Sequence, residues 1–331
     1  MEKKIRYKTG IIGSGSWGIS LGLALNRSGN KVKIFFNSKE NYKKVLKSRI
    51  SEKIPNVKIP IEIDLSNNIN EVKYLDQVFM VTPSQKIREN LILLKSKKII
   101  PKTFIICSKG IESNTGKLMS EVVSEIFKKS EIFILSGPNF AIEVAKNLPT
   151  AFVLSGKNEQ TLKKLGKQIS NKNFRPYFNN DLVGTQIGGS AKNIIAIACG
   201  IIKGRRLGEN AKASLLTRGL SEIISLGKKM GAEKKTFFGL SGLGDLTLTC
   251  NSLKSRNLNL GYMLGQGMKL DDILSKGYLT EGMNCCNAIF ELGERYNIEM
   301  PVCKAVKKVI EGCSVSEIIY NLLSRPLQFE D

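Results

Sequence analysis

The residue with the clearest capacity for chemistry is Lys192, a cation in the middle of the apolar stretch 186–200. Apolar residues recur there at the period of an α-helix, namely Ile187, Ala191, Ile194, Ala198 and Ile201. The other faces carry glycine, alanine and isoleucine, so the pattern predicts a buried helix. A buried ammonium needs partners, and in an enzyme it can donate a proton. The alternative is a structural lysine whose long stem carries its charge to solvent.

Histidine is absent from the sequence. This excludes a histidine-based triad, a histidine general base and a histidine-ligated metal, and we expect no metal site. The seven cysteines are scattered without a CxxC spacing, which favours reduced thiols in the cytoplasm. The basic start of the chain is a poor signal peptide because the apolar stretch after it breaks into glycines. The longest apolar run, 194–202, falls short of the roughly 20 residues of a membrane span.

The chain has 331 residues and a formal net charge of +22. Its length favours two domains, which we place at 1–182 and 183–331. The charge could indicate a nucleic-acid partner. However, the lysines are scattered, and no long basic block or mixing of aromatic and basic residues is present. We therefore expect a small anionic substrate, no nucleic acid and no insertion into a membrane.

The first element that could position a reaction is a glycine-rich turn after a short apolar strand at 9–12. Gly13, Gly15 and Gly18 form a GxGxxG pattern, and a helix pattern continues to Arg27. The first glycine permits a tight turn, the second allows a pyrophosphate to approach, and the third allows helix and strand to pack closely. The helix N-terminus then offers N–H groups to the phosphates. This pattern predicts a site for NAD or NADP.

The residues after the second predicted strand, 31–36, bear on the choice between these cofactors. A site selective for NAD usually has an acidic residue there to bind the ribose hydroxyls. Asn37 follows this strand instead, with Lys39 and two further lysines close by. No carboxylate is placed to repel a 2′-phosphate, which modestly favours acceptance of NADP. The alternative is a solvated loop.

Further strands are predicted at 77–81, 103–107, 132–135 and 151–154, followed by a helix at 159–169. Because ligands bind beyond the carboxyl ends of strands in a doubly wound sheet, Lys109 and the turn Gly137–Ala141 are expected at a binding crevice. A helix at 181–203 then carries Lys192 into the second domain.

The second half of the chain reads as helical, with two glycine- or polar-rich interruptions. The first, 238–247, presents Asp245 as its one charge, and the second contains Ser255, Arg256 and Asn257. Ser255 is a good N-cap, and a helix that starts with these residues can bind a phosphate. The alternative for Arg256 is an ordinary surface arginine. Ser314 and Glu317 form the pattern of a capping box at the last helix.

These motifs together resemble, over nearly the whole chain and in order, the bacterial-type NAD(P)-dependent glycerol-3-phosphate dehydrogenases. The resemblance implies a Rossmann domain followed by an all-helical domain of the 6-phosphogluconate-dehydrogenase type. The segments that carry it are 13–18, 109–112, 115–116, 137–141, 188–193, 210–213, 217–220, 242–246, 255–257 and 281–282.

The resemblance implies a role for each matching position. Lys192 would be the proton donor and acceptor. The substrate would be bound by Lys109, Gly137, Asn139, Asn193, Asp245, Ser255, Arg256 and Asn257. The dinucleotide would contact Gly13, Gly15, Ser16, Trp17, Gly18, Asn37, Lys109, Ala141, Arg256, Leu279 and Glu281.

The chain departs from the family pattern at four places. Asn37 stands where arginine or histidine is frequent, which weakens a clamp on a 2′-phosphate. Asn139 stands where serine or threonine is usual, although an amide can still donate and accept hydrogen bonds. The loop 50–60 lacks the usual Tyr-Leu-Pro pattern, so no contact is assigned to it. Cys286 replaces a common threonine.

The expected reaction is the reversible reduction of dihydroxyacetone phosphate to sn-glycerol 3-phosphate, which would supply phospholipid synthesis, with a homodimer as the candidate assembly. One alternative is another lysine-dependent reductase of the same architecture, acting on ketopantoate or a β-hydroxyacid. The other is a basic nucleic-acid-binding protein, whose affinity would fall steeply with salt.

Overall fold

The computed structural model describes residues 8–278, 280–327 and 329. The chain divides into two compact units, and each is described by itself. The first comprises the chain up to residue 109 together with 117–186, and the second comprises 110–116 together with the chain from 187 onward. The domain boundary at 182/183 stays a prediction. The assignment of segment 110–116 to the second unit is an addition that the sequence did not indicate.

The first unit holds the strands. In chain order they are β1 (Lys8–Ile12), β2 (Lys31–Phe35), β3 (Ile50–Ser51), β4 (Ile54–Lys58), β5 (Asp64–Ser66), β6 (Gln77–Met80), β7 (Thr103–Ile106), β8 (Glu131–Ser136), β9 (Thr150–Gly156) and β10 (Phe174–Asn179). The strands predicted from the sequence are all present, with ends that differ by one or two residues. The strands β3, β4, β5 and β10 were not predicted.

Eight of these strands form one sheet in the order β10-β9-β8-β7-β6-β1-β2-β5, and β3 pairs with β4 as a separate hairpin. Neighbours in the large sheet are parallel except β8 and β9. The strand order reverses direction between β1 and β6, since β2 lies on one side of β1 and β6 to β8 lie on the other. This is the switch point at which doubly wound sheets bind ligands.

Helices accompany the sheet because successive strand residues face two different cores. Ile11 and Phe79 belong to one apolar cluster, whereas Ile12 and Met80 belong to the other. A strand that is buried on both faces reads as a continuous apolar run, which is why these segments were recognisable. The helices of this unit are α1 (Ser16–Arg27), α2 (Lys39–Ser48), α3 (Ile87–Ser96), α4 (Met119–Ile126), α5 (Ala141–Ala145) and α6 (Glu159–Ile169).

From residue 187 on, every regular element of the described chain is helical. Ser314 is the N-cap residue of the last helix, but its side chain makes no capping hydrogen bond, so the predicted capping box does not form. The helices are α7 (Leu182–Gly204), α8 (Glu209–Lys229), α9 (Asp245–Asn251), α10 (Arg256–Gly265), α11 (Leu270–Ser275), α12 (Glu281–Arg295), α13 (Pro301–Ile310) and α14 (Val315–Leu323), with a π-helical turn at Leu240–Gly244 before α9.

Helices α7 and α10 approach each other backbone to backbone through glycines. A Cβ atom added to Gly261 would lie 1.9 Å from the carbonyl oxygen of Ile197, and one on Gly200 would lie 2.1 Å from that of Leu258. Gly204 and Gly265 repeat this approach one turn further along, with added Cβ atoms 2.4 and 2.5 Å from backbone oxygens. Because the obstructing atoms are backbone, they cannot move aside cheaply. This packing fixes the register of α10 on the helix that carries Lys192.

The change Gly261→Ala is expected to lower the free energy of unfolding by about 1–3 kcal/mol or more, the usual cost of overpacking a core. Helix propensity alone would favour alanine by up to about 1 kcal/mol, so the sign of the effect separates close packing from propensity. Urea unfolding measures it. Gly239→Ala is the matched control, since its nearest obstacle lies 3.4 Å away and it should stay within about 0.5 kcal/mol of wild type. A Gly261→Ala variant as stable as wild type would contradict the packing argument.

No helix in the described parts of the chain is both long and apolar enough to cross a membrane. The same residues contain no group of three or more cysteine, aspartate or glutamate side chains arranged to hold a metal ion.

Candidate active site

The glycine-rich turn of the first unit has the shape that a dinucleotide requires. Gly13 has a positive φ of 121°, and a Cβ there would lie 2.7 Å from the backbone of Val81. A Cβ on Gly18 would lie 1.8 Å from the carbonyl oxygen of Gly13. Gly15 differs, because a Cβ there would meet nothing within 4 Å. Gly15 precedes the first turn of α1, so there is open space beside the helix N-terminus. An open helix N-terminus of this kind is where a pyrophosphate would bind.

Three other predicted dinucleotide contacts lie in the first unit, and two of them, Ser16 and Trp17, are part of this turn. The Ser16 hydroxyl donates a hydrogen bond to the carbonyl oxygen of Lys53, at 2.9 Å, which ties the turn to the loop between β3 and β4. Trp17 and Ala141 are partly buried, and both pack against the apolar cluster that contains Ile11 and Phe79. Their contact with a cofactor stays a prediction.

Asn37 is exposed and lies two residues after the end of β2. The next residue, Ser38, caps α2 by accepting a hydrogen bond from the backbone N–H of Asn41. The carboxylate nearest in sequence is Glu40, whose Oε1 lies 3.0 Å from Lys44 Nζ. The hydrogen bond and charge of Glu40 raise the pKa of the Lys44 ammonium above its ordinary value. The acid of this helix is therefore already paired with a lysine, and an uncharged amide follows the strand.

Beyond the carboxyl ends of β7 and β8 the structure brings Lys109, Gly137 and Asn139 together. Lys109 Nζ donates to the carbonyl oxygen of Gly137 at 2.9 Å, and Gly137 has a φ of 137°. The amide oxygen and nitrogen of Asn139 are buried and have no hydrogen-bond partner among the described residues. A buried amide without partners is costly, so this arrangement suits the binding of a polar ligand.

In the second unit, Lys192 lies on α7 in a buried cluster with two residues of α9. Its Nζ is 2.5 Å from Asp245 Oδ1 and 2.6 Å from Thr249 Oγ1. Lys192 is 6% exposed and Asp245 is 1% exposed, so the alternative of a lysine that reaches solvent is wrong. Thr249 in turn donates to the carbonyl oxygen of Asp245 at 2.7 Å. A carboxylate and a hydroxyl therefore orient the ammonium.

Thr249 is the member of this cluster that sequence reasoning missed. It follows Asp245 by four residues, and positions four apart lie on the same face of a helix. That spacing was a usable signal once Asp245 had been singled out. The π-helical turn before α9 sets where this face begins.

Asn193 and Asn257 meet beside the lysine. Asn257 Nδ2 donates to Asn193 Oδ1 at 3.0 Å, and Asn257 Oδ1 accepts from the backbone N–H of Gly282 at 3.0 Å. A Cβ on Gly282 would lie 2.7 Å from the backbone carbonyl oxygen of Asn193 and 2.7 Å from Asn257 Oδ1, and because the first obstacle is backbone, a larger residue does not fit there without a shift. The amide nitrogen of Asn257 thus connects α10 to α7, and its amide oxygen connects α10 to the start of α12. Its direct contact with substrate stays a prediction beside this positioning role.

The predicted phosphate-binding residues lie at the start of α10. Ser255 is buried and caps the helix, since its hydroxyl accepts from the backbone N–H of Leu258 at 3.2 Å. Arg256 is exposed, and its Nη2 donates to the carbonyl oxygen of Gly277 at 3.1 Å. Glu281 is the first residue of α12, after the N-cap Thr280. Leu279, the remaining predicted cofactor contact, lies outside the described residues.

A doubly wound sheet with a glycine-rich turn, joined in one chain to a helical unit with a buried lysine–carboxylate pair, defines a nicotinamide-nucleotide-dependent dehydrogenase. Sequence profiles narrow the class. The profile for the NAD-dependent glycerol-3-phosphate dehydrogenase N-terminus matches residues 8–162, and that for the C-terminus matches 181–320. The chain belongs to this family of glycerol-3-phosphate dehydrogenases.

Individual relatives agree with this assignment. The chain is 37% identical over 326 residues to the glycerol-3-phosphate dehydrogenase [NAD(P)+] of Parvibaculum lavamentivorans, with 98% of each chain covered. It is 40% identical over 328 residues to that of Hyphomonas neptunium, again with 98% of each covered. The crystal structure of glycerol-3-phosphate dehydrogenase from Coxiella burnetii superposes with a TM-score of 0.92 at 32% identity, covering 97% of this chain and 99% of that one.

The architecture is also shared with a rival class. A ketopantoate reductase of Ralstonia eutropha matches with a TM-score of 0.62 at 13% identity, covering 92% of this chain and 97% of that one. An identity this low shows a common fold alone, so the choice of substrate must be argued from the site.

Proposed function

We propose that this protein catalyses the reversible reduction of dihydroxyacetone phosphate to sn-glycerol 3-phosphate with NADH or NADPH. The observation that carries the proposal is the buried cluster of Lys192, Asp245 and Thr249, in a chain of the glycerol-3-phosphate dehydrogenase family. The product would supply glycerophospholipid synthesis.

The glycine-rich turn and α1 would hold the dinucleotide, with Gly15 beside the pyrophosphate and Asn37 near the ribose of the adenosine. When bound, the reduced nicotinamide supplies the hydride. As the ketone carbon is reduced, negative charge develops on its oxygen. Lys192 Nζ stabilises this charge and donates the proton. Asp245 and Thr249 orient the ammonium, and in the reverse reaction the neutral amine takes up the proton of the alcohol.

The substrate's phosphate would be bound at the start of α10. Arg256 can offer two parallel N–H groups to phosphate oxygens, and Ser255 holds the helix N-terminus in place. We propose Lys109, Gly137, Asn139, Asn193, Asp245, Ser255, Arg256 and Asn257 as substrate contacts, and Ser16, Trp17, Ala141, Arg256, Leu279 and Glu281 as cofactor contacts beside the three glycines, Asn37 and Lys109.

We extend the proposal to a cytoplasmic enzyme. All seven cysteines are free thiols and six of them are buried, which suits a reducing compartment. A homodimer stays the candidate assembly, and light scattering of the purified protein tests it.

The reaction is tested by following the loss of reduced nicotinamide absorbance with dihydroxyacetone phosphate, first with NADH and then with NADPH. Ketopantoate and unphosphorylated dihydroxyacetone serve as comparison substrates. A kcat/KM for dihydroxyacetone phosphate well above both others is expected. A higher kcat/KM for ketopantoate would contradict the proposal and support the rival reductase.

For the cofactor, we expect NADH and NADPH to have kcat/KM values within about a hundredfold, or less than ~3 kcal/mol of discrimination, because neither an acid nor an arginine follows β2. Asn37→Asp should lower kcat/KM for NADPH relative to NADH, since a carboxylate repels a 2′-phosphate. Asn158→Asp is the matched control: Asn158 caps α6 by accepting from the N–H of Thr161, and aspartate caps as well. An unchanged ratio in Asn37→Asp would mean that Asn37 does not face the ribose.

A further inference from the structure

Three neighbouring strands each carry a hydroxyl side chain at or just beyond their last residue, at the same level of the sheet. In the register, Met80 of β6 lies beside Ile106 of β7, and Ile106 lies beside Ile134 of β8. Two residues further along each strand come Thr82, Ser108 and Ser136. The backbone N–H of Cys107 donates to the carbonyl oxygen of Met80 at 2.9 Å, and the Ser108 hydroxyl donates to the carbonyl oxygen of Thr82, so the segments after β6 and β7 stay side by side.

Two of these hydroxyls make no hydrogen bond to any described residue. Thr82 Oγ1 and Ser136 Oγ are buried and lack a hydrogen-bond partner among the described residues, and Ser136 as a whole is only 2% exposed. With the two amide atoms of Asn139, they account for four of the five such atoms in the described chain. Buried polar groups are nearly always satisfied in native proteins. A cluster of unsatisfied groups at one edge of a sheet therefore points to a polar ligand.

The position of Thr82 indicates which ligand. The backbone N of Thr82 would lie 3.0 Å from a Cβ on Gly13, so the end of β6 adjoins the glycine-rich turn across the switch point between β1 and β6. A dinucleotide lies across such a switch point. Its adenosine half belongs to the side of β2, which Asn37 follows. Its other half belongs to the side of β6, β7 and β8.

We propose that the Thr82 and Ser136 hydroxyls bind the nicotinamide riboside half of the cofactor. Both hydroxyls can donate and accept, and that half presents ribose hydroxyls and a carboxamide with donors and an acceptor. This inference rests on the proposed function, because it takes the ligand to be a nicotinamide dinucleotide. It adds two positioning residues for the end of the cofactor that takes part in the reaction.

The test uses Thr82→Val and Ser136→Ala, which remove the hydroxyls with little change in shape. Titration calorimetry with NADH should show Kd raised about three- to tenfold for each variant, the worth of one hydrogen bond. The Kd for ADP, which lacks the nicotinamide riboside, should not change. Loss of affinity for ADP-ribose as well would assign the bonds to the ribose, and its retention would assign them to the carboxamide; either supports the proposal.

A second readout separates binding from a structural role. Because the hydroxyls are unsatisfied without ligand, the variants should melt at the wild-type temperature or above it when no cofactor is present. Thr103→Val is the matched control, because Thr103 starts β7 and so lies at the opposite end of the strands from Thr82 and Ser136. This variant should leave the Kd values for NADH and for ADP unchanged.

An unchanged Kd for NADH in both variants, or an equal loss for NADH and ADP, would overturn the inference. This failure is distinct from failure of the proposed function. A wild-type protein that binds NADH and reduces dihydroxyacetone phosphate keeps its function even if the two variants bind normally, whereas a wild-type protein that does not bind NADH loses both proposals.

Discussion

Replacement of Lys192 by methionine is expected to lower kcat for dihydroxyacetone phosphate by about 10²–10⁴-fold, the usual contribution of a positioned acid–base group. Methionine keeps the length of the stem on α7 but removes the proton donor and the charge that stabilises the developing alkoxide. The measurement is steady-state kinetics at saturating cofactor. Lys203→Met is the matched control, since Lys203 is an exposed lysine near the end of the same helix, and its kcat should equal that of wild type.

The same change should also cost stability, for a reason that the structure reveals. The sequence indicated that a buried Lys192 needs partners but did not show which residue carries the opposite charge. Asp245, 1% exposed, is its partner, and removal of one member of a buried pair costs about 3–5 kcal/mol. The double variant Lys192→Met with Asp245→Asn removes both charges and should recover most of that loss in urea unfolding.

The double variant separates a catalytic role of Lys192 from a structural one. It should regain stability and remain inactive, because catalysis needs the ammonium whereas folding needs only that no charge is left buried and unpaired. A single or double variant with near-normal kcat would show that Lys192 is not the proton donor.

Removal of Arg256 is expected to lower kcat/KM for dihydroxyacetone phosphate by about thirtyfold to a few thousandfold, which corresponds to roughly 2–5 kcal/mol for a charge pair that loses water on binding. Arg256→Lys should lose nearly as much as Arg256→Ala, because a lysine cannot bind two phosphate oxygens in the bidentate manner. The helix start that presents Arg256 stays capped by Ser255, so the fold should be unaffected.

The informative quantity is the ratio of kcat/KM for dihydroxyacetone phosphate to that for dihydroxyacetone. This ratio should fall in both Arg256 variants, together with some rise in the KM for the cofactor. Lys254→Ala removes an exposed cation two residues away and should leave the ratio unaltered. A ratio that stays constant in the Arg256 variants would mean that the phosphate is bound elsewhere, with Lys109 the next candidate.

The glycine-rich turn could be predicted from the sequence alone. The positive φ of Gly13 and the close approach of Gly18 to the carbonyl oxygen of Gly13 both depend on residues within this short segment, so the spacing of the glycines was enough to predict the turn. Strands buried on both faces and the apolar helix α7 were recognisable for the same reason, since each is a continuous periodic pattern. The strands β4 and β10 were not predicted because their residues are largely exposed or half-buried, and β3, with two residues, is too short to show a pattern.

The chemistry of the site was determined by the sequence only in part. A lone lysine in an apolar helix and the absence of histidine pointed to Lys192 without any structure. Its partners Asp245 and Thr249 are 53 and 57 residues away along the chain, and the packing of α9 beside α7 decides which of their atoms meet the ammonium. The unsatisfied hydroxyls of Thr82 and Ser136 could not be anticipated either, because whether a buried group has a partner depends on every element packed around it.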